Sequence, residues 1–107
     1  MKILLDECLP VDLRHSFPGH EANTAEWAGF KGHKNGDLLR AAEIAGYSVL
    51  LTVDQGMPRQ TNAPNRKIAI RLLVAPSNQM EHLLPLVPDV LAALQSIQPG
   101  QVVSVRP

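Results

Sequence analysis

Residues 48–54 read SVLLTVD, an apolar run that stops on a carboxylate. A run of this length without alternation suits a strand buried on both faces, as in a parallel sheet. The pattern also opens the chain, where residues 1–7 read MKILLDE and the apolar stretch from Ile3 to Leu5 stops on Asp6 and Glu7. Between the two runs, Leu38, Ala41, Ala42 and Ala45 fall at the i, i+3, i+4, i+7 spacing of one helix face. Asn35 or Asp37 can cap the start of that helix, and Gly46 can close its end.

The same reading extends to both ends. Residues 11–17 form a short helix entered through Pro10 and ended by Pro18 and Gly19. Residues 20–24 are a weak strand, 25–30 a helical turn and 31–36 a polar loop. Residues 55–66 form a long loop, and 67–74 (KIAIRLLV) a strand. Residues 80–97 are apolar but hold Pro85 and Pro88, and a proline in a helix interior costs about 3 kcal/mol. A break is therefore expected there, with a second helix from Pro88 through Ile97. Residues 102–105 are a last strand, expected at an edge. Alternating strands and helices of this kind predict an α/β fold with a mostly parallel sheet.

A chain of 107 residues with 45% hydrophobic content supports one globular domain and argues against disorder. Phe17, Trp27, Phe30 and Tyr47 are its only aromatics, so the core is aliphatic and base-stacking platforms are scarce. Cys8 is the only cysteine, which excludes an intrachain disulfide. No stretch approaches a membrane span, and the first apolar run is too short for a secretory signal. The chain reads as cytoplasmic. Leu83, Leu84, Leu86, Val87, Val90, Leu91, Leu94 and Ile97 crowd the C-terminal helical region beyond the needs of one face. They either cap a small core or mark a homodimer interface, and a homodimer is expected.

Acids and bases balance at ten each, but eight acids lie between Asp6 and Asp54. From Gln55 to Met80 there are Arg59, Arg66, Lys67 and Arg71 and no acid. Either a carboxylate pocket has a cationic rim, or the asymmetry is scatter.

In open α/β sheets, ligands sit outside the carboxyl ends of the strands. Asp6 and Asp54 both occupy that place. Asp37 starts the helix that returns the chain to the second of these strands, so its end lies at the same edge. Three acids distant in sequence can thus converge on one pocket. Clustered carboxylates repel unless compensated, and Mg²⁺ or Mn²⁺ compensates them, being hard cations that take oxygen ligands. Such a cation can activate water and clamp a phosphodiester. The plainer readings are that Asp37 caps a helix, that Asp54, Gln55 and Gly56 form a turn, and that Glu7 is a solvated neighbour. Lys31, His33 and Lys34 flank Asp37 and either meet a phosphate backbone or solvate a loop. Cys8 is more often a small buried hydrophobe than a nucleophile. The four histidines show no zinc spacing, and neither phosphate-binding glycine motif occurs.

DECLP after a short strand, then GHEANT, NGDLLRAAEIAG and SVLLTVDQGMPRQTN, resembles the short PIN-like domains, small prokaryotic proteins identified as toxins of toxin–antitoxin pairs. The resemblance covers about residues 1 to 75. It implies a single PIN-like domain over 1–107, a three-layer α/β/α sandwich, and a Mg²⁺- or Mn²⁺-dependent ribonuclease acting on single-stranded RNA. A small antitoxin protein would be its partner. It further implies that Asp6, Asp37 and Asp54 are catalytic and hold the metal, with Glu7 as a further ligand candidate. Many such sequences have another acid two residues past the last one. Here that position is Gly56, which implies a weaker or single metal site. Gln60 and Asn62 match a branch with amides in this loop, where they orient water or substrate or order the loop. Lys31, Lys34, Arg59, Arg66 and Lys67 are the expected nucleic-acid contacts. The alternative is a catalytically silent PIN-like module that binds a partner protein or nucleic acid.

Overall fold

The computed structural model describes residues 1–33, 35–60 and 65–106, without the side chains of Arg59 and Gln60. The expected roles of Lys34, Arg59, Gln60 and Asn62 therefore lie outside the described residues. Five strands form one sheet: β1 (Lys2–Leu5), β2 (Glu21–Thr24), β3 (Val49–Thr52), β4 (Ala69–Leu73) and β5 (Val102–Val105), in the order β2-β1-β3-β4-β5. Every neighbouring pair is parallel, which goes further than the mostly parallel sheet expected. The helices are α1 (Asn35–Ile44), α2 (Met57–Gln60), α3 (Met80–Leu83) and α4 (Val87–Leu94), with 3-10 turns at Val11–Ser16 and Leu84–Leu86.

Alternate residues of each strand face opposite sides of a sheet, and two separate cores result. Ile3, Leu5, Val49, Leu51 and Leu73 pack with Leu13, Leu83, Leu86, Val90 and Leu94. On the other face Leu4, Leu50 and Ile70 pack with Leu38, Leu39, Ala42 and Met57. The fold is thus an α/β sandwich with helices on both faces. Because both faces are covered, the central strands read as continuous apolar runs.

Several local expectations shift. The buried face of α1 is Leu38, Leu39 and Ala42, not a stripe reaching Ala45, which is exposed. The helix ends at Ile44, and Gly46 at φ +88° turns the chain, its N–H meeting Glu43 O at 3.1 Å. The short helix expected over residues 11–17 is a 3-10 helix over Val11–Ser16. The stretch expected as a loop after Asp54 contains α2, whose Met57 is fully buried. The break near Pro85 and Pro88 is present as a 3-10 turn, with α4 starting at Val87.

The C-terminal apolar crowd is used within the chain. Leu83, Leu86, Val90 and Leu94 are buried, Val87, Leu91 and Ile97 pack against them, and Leu84 alone of the set is exposed. Seven of the eight thus serve the core of this chain. Among the described residues no helix is long and apolar enough to cross a membrane.

Candidate functional site

The strand order reverses between β1 and β3, since β1 connects to β2 on one side and β3 leads to β4 on the other. Such a reversal opens a crevice at the carboxyl ends of the two strands, the usual ligand site of open α/β sheets. Asp6 and Asp54 follow those two ends. Leu5 is in register with Leu51, and Asp6 N–H continues the ladder to Leu51 O at 3.0 Å.

Thr52 ties the two acids together. Its side chain is fully buried. Its hydroxyl donates to Asp6 Oδ2 at 2.7 Å and accepts the Asp54 N–H at 3.0 Å. Asp6 also accepts the Glu7 N–H on Oδ1 at 2.8 Å and the Cys8 thiol on Oδ2 at 3.7 Å. A carboxylate offers about four lone-pair sites, so three donors orient Asp6 while leaving capacity for an external ligand. Asp54 closes a local turn, its Oδ1 accepting the Gly56 N–H at 2.9 Å. This is the self-bonding habit of aspartate in turns.

Cys8 is half-buried beside them, 3.6 Å from Thr52 Oγ1. Burial pushes its thiol pKa up, and the Asp6 charge adds to that, against lowering hydrogen bonds from Val53 and Thr52. A thiol held protonated is a poor nucleophile. Cys8 therefore serves as a donor to Asp6.

Glu7 is exposed and accepts the Gly32 N–H at 2.7 Å, which pins the 31–33 loop beside the strand end. That bond brings Lys31 to a pocket of about 250 Å³ whose walls include Asp6, Glu7, Thr24 and Glu26. Lys31 Nζ lies 3.9 Å from Glu26 Oε1, both well exposed.

The remaining expected residues lie apart. Asp37, in the first turn of α1, faces Arg40 at 3.8 Å, and both side chains are about two-thirds exposed. Among the described residues no three His, Cys, Asp or Glu side chains converge to hold a metal ion. The structure thus links the Asp6 carboxylate to the Asp54 backbone through Thr52, and among the described residues it does not assemble the two with Asp37 as one ligand group. Arg66 pairs with Glu43 at 3.6 Å in a partly buried bridge, and the same carboxylate accepts the Lys67 N–H at 2.7 Å. Lys67 precedes β4 and shares a depression with Ser48 and Pro99, which precede β3 and β5. In an all-parallel sheet that is the edge opposite Asp6, so Lys67 does not rim the acids.

Two residues were not among the expected site residues. Thr52 left a signal, a hydroxyl inside an otherwise aliphatic strand. Glu26 left none, because it joins the pocket only through the turn after β2.

No protein-family model matches the chain, and no curated protein or solved structure does.

Proposed function

We propose that the chain is a Mg²⁺- or Mn²⁺-dependent ribonuclease of PIN-like type that cleaves single-stranded RNA in the cytoplasm, as the toxin of a toxin–antitoxin pair with a small antitoxin partner. One observation supports it: Asp6 and Asp54 follow the two strand ends at the topological switch point, and the buried Thr52 hydroxyl bonds both the Asp6 carboxylate and the Asp54 backbone N–H. Their donor chemistry fits the cation, because Mg²⁺ is commonly held by one or two carboxylates completed by waters and substrate phosphate. Asp6 and Asp54 would hold it. When bound, such a cation supplies Lewis acidity and charge neutralisation at a phosphodiester. Thr52 and Cys8 fix the Asp6 carboxylate so that little reorganisation is needed at the moment of reaction. Lys31 offers a cation to the approaching phosphate.

A second reading is a silent interaction module. It is favoured by the absence, among the described residues, of a three-ligand group and by Gly56 at the place of a further acid. Thermal unfolding with millimolar Mn²⁺ separates the two. A ligand at about ten times its Kd stabilises the native state by about 1.4 kcal/mol, or about 6–11 °C for a domain of this size. The ribonuclease reading expects that shift and its loss in Asp6→Asn. No shift in the wild-type chain would leave the silent module.

A further inference from the structure

Trp27 is the only tryptophan in the chain, and it is 72% exposed, although tryptophan is usually well buried. Its backbone is held in place, with its N–H donating to Thr24 Oγ1 at 3.1 Å and the next N–H, from Ala28, to Thr24 O at 3.0 Å. The residue edges a groove of about 440 Å³ whose walls include Val11, Arg14, His15, His20 and Thr24. Val11 and Thr24 also line the pocket that contains Asp6, so the two depressions share a wall.

The groove joins an apolar ring to cationic and hydrogen-bonding groups. Arg14 is anchored by its own turn, donating to Val11 O at 3.1 Å. Its nearest acid, Asp12, lies 4.0 Å away and is 84% exposed, and a pair so exposed is easily exchanged for another anion. The histidine rings add N–H donors. The neighbouring pocket is the reverse, with Asp6, Glu7 and Glu26 facing Lys31. A phosphate is therefore attracted to the groove and repelled by the pocket until a cation enters it. Aromatic faces that stack bases beside cations that meet phosphates are how single strands are bound without sequence preference.

We propose that this groove seats a nucleotide of single-stranded RNA, its base stacked on Trp27 and its phosphate at Arg14, so that the adjoining linkage enters the Asp6 pocket. The inference rests on the ribonuclease reading for its occupant, and the test keeps the two apart. The Asp6→Asn chain is titrated with a short oligouridylate while Trp27 emission is followed. Saturable quenching is expected, with no quenching by inorganic tripolyphosphate. By anisotropy of a labelled oligouridylate, Trp27→Ala should weaken binding roughly 5- to 150-fold, the range that loss of one stacked base produces. Trp27→Phe should recover most of it. Arg14→Gln should lower the salt slope of log K by about 0.7, the loss of one phosphate contact on a single strand. Binding that leaves Trp27 emission unchanged, or Trp27→Ala binding as tightly as its parent, overturns the proposal. So does an emission change that follows protein concentration without RNA, which would give the groove to a second copy. If quenching occurs but the wild-type chain cleaves nothing with Mn²⁺, the groove stands and the ribonuclease reading falls. If cleavage occurs without quenching, the reverse holds.

Discussion

Replacing Thr52 by valine removes one hydroxyl and keeps the shape. In the native chain that hydroxyl makes a 2.7 Å bond to the Asp6 carboxylate and accepts the Asp54 N–H at 3.0 Å, from a side chain with no exposed surface. A hydrogen bond to a charged group contributes about 1.5–3 kcal/mol. An orphaned buried N–H costs about 1–3 kcal/mol, but Asp54 is exposed and its amide can turn to water. The second contribution therefore falls at the low end, and Thr52→Val should cost about 2–4 kcal/mol in all. Urea unfolding at neutral pH measures it as a lower midpoint at unchanged slope. Thr52→Ser keeps the hydroxyl and loses one buried methyl, so it should cost only about 1 kcal/mol. The two variants should also differ in Mn²⁺ response, weakened in Thr52→Val and retained in Thr52→Ser. A Thr52→Val chain as stable as Thr52→Ser would refute the claim that this hydroxyl organises the two acids.

Among the described residues Arg71 is buried without a carboxylate partner; it donates to Ala93 O at 3.0 Å and Gln101 Oε1 at 2.9 Å, and its Nε has no partner. Burial lowers its pKa, and an apolar residue of similar length avoids that desolvation, so Arg71→Met should cost about 1 kcal/mol or less. Arg71→Ala leaves a cavity and should lie about 2–5 kcal/mol below Arg71→Met in denaturant unfolding; equal stabilities would contradict this account. Cys8 has a folded pKa above its unfolded value. Its contribution is complete below the unfolded value near pH ~8.5 and is lost as pH rises through the folded one. Stability of the wild-type chain should therefore fall more steeply above that point than that of Cys8→Ala, as pH-dependent urea midpoints would reveal. Asp37→Asn should change the urea-derived stability by less than about 0.5 kcal/mol, because its pair with Arg40 is exposed and Asn caps as well as Asp. Loss of the Mn²⁺ shift in that variant would bring Asp37 into the site.

The central strands β1, β3 and β4 were legible because burial on both faces leaves apolar runs that end abruptly. The strand order was not. Nothing in the residues says that β1 lies between β2 and β3, and that placement creates the crevice at Asp6 and Asp54. Asp37 lies in the first turn of α1 beside Arg40, and no periodicity in residues 25–33 encodes where that turn falls. Lys67 was misplaced because charge was counted along the chain rather than by strand end; it precedes β4, while Asp6 and Asp54 follow β1 and β3. The helix α2 was hidden by Gly56 and Pro58, which read as loop residues, yet Met57 between them anchors the turn in the core. Ala45 is missing from the buried face of α1 because the helix stops at Ile44, and Leu39 is buried there beside Leu38 and Ala42.

The central claim is that Asp6 and Asp54 form a working cation site, and RNA cleavage tests it most directly. The wild-type chain, Asp6→Asn and Asp54→Asn are incubated with labelled single-stranded RNA, with Mn²⁺ or with chelator. The folded fraction of each is fixed by circular dichroism. Asp6→Asn is expected to lose about 1–2 kcal/mol, since Asp6 accepts from Glu7, Thr52 and Cys8, and this loss by itself does not touch the claim. The account predicts cleavage by the wild-type chain that requires Mn²⁺ and disappears in both folded variants. Wild-type cleavage that survives chelation, or persists in folded Asp6→Asn, would contradict it.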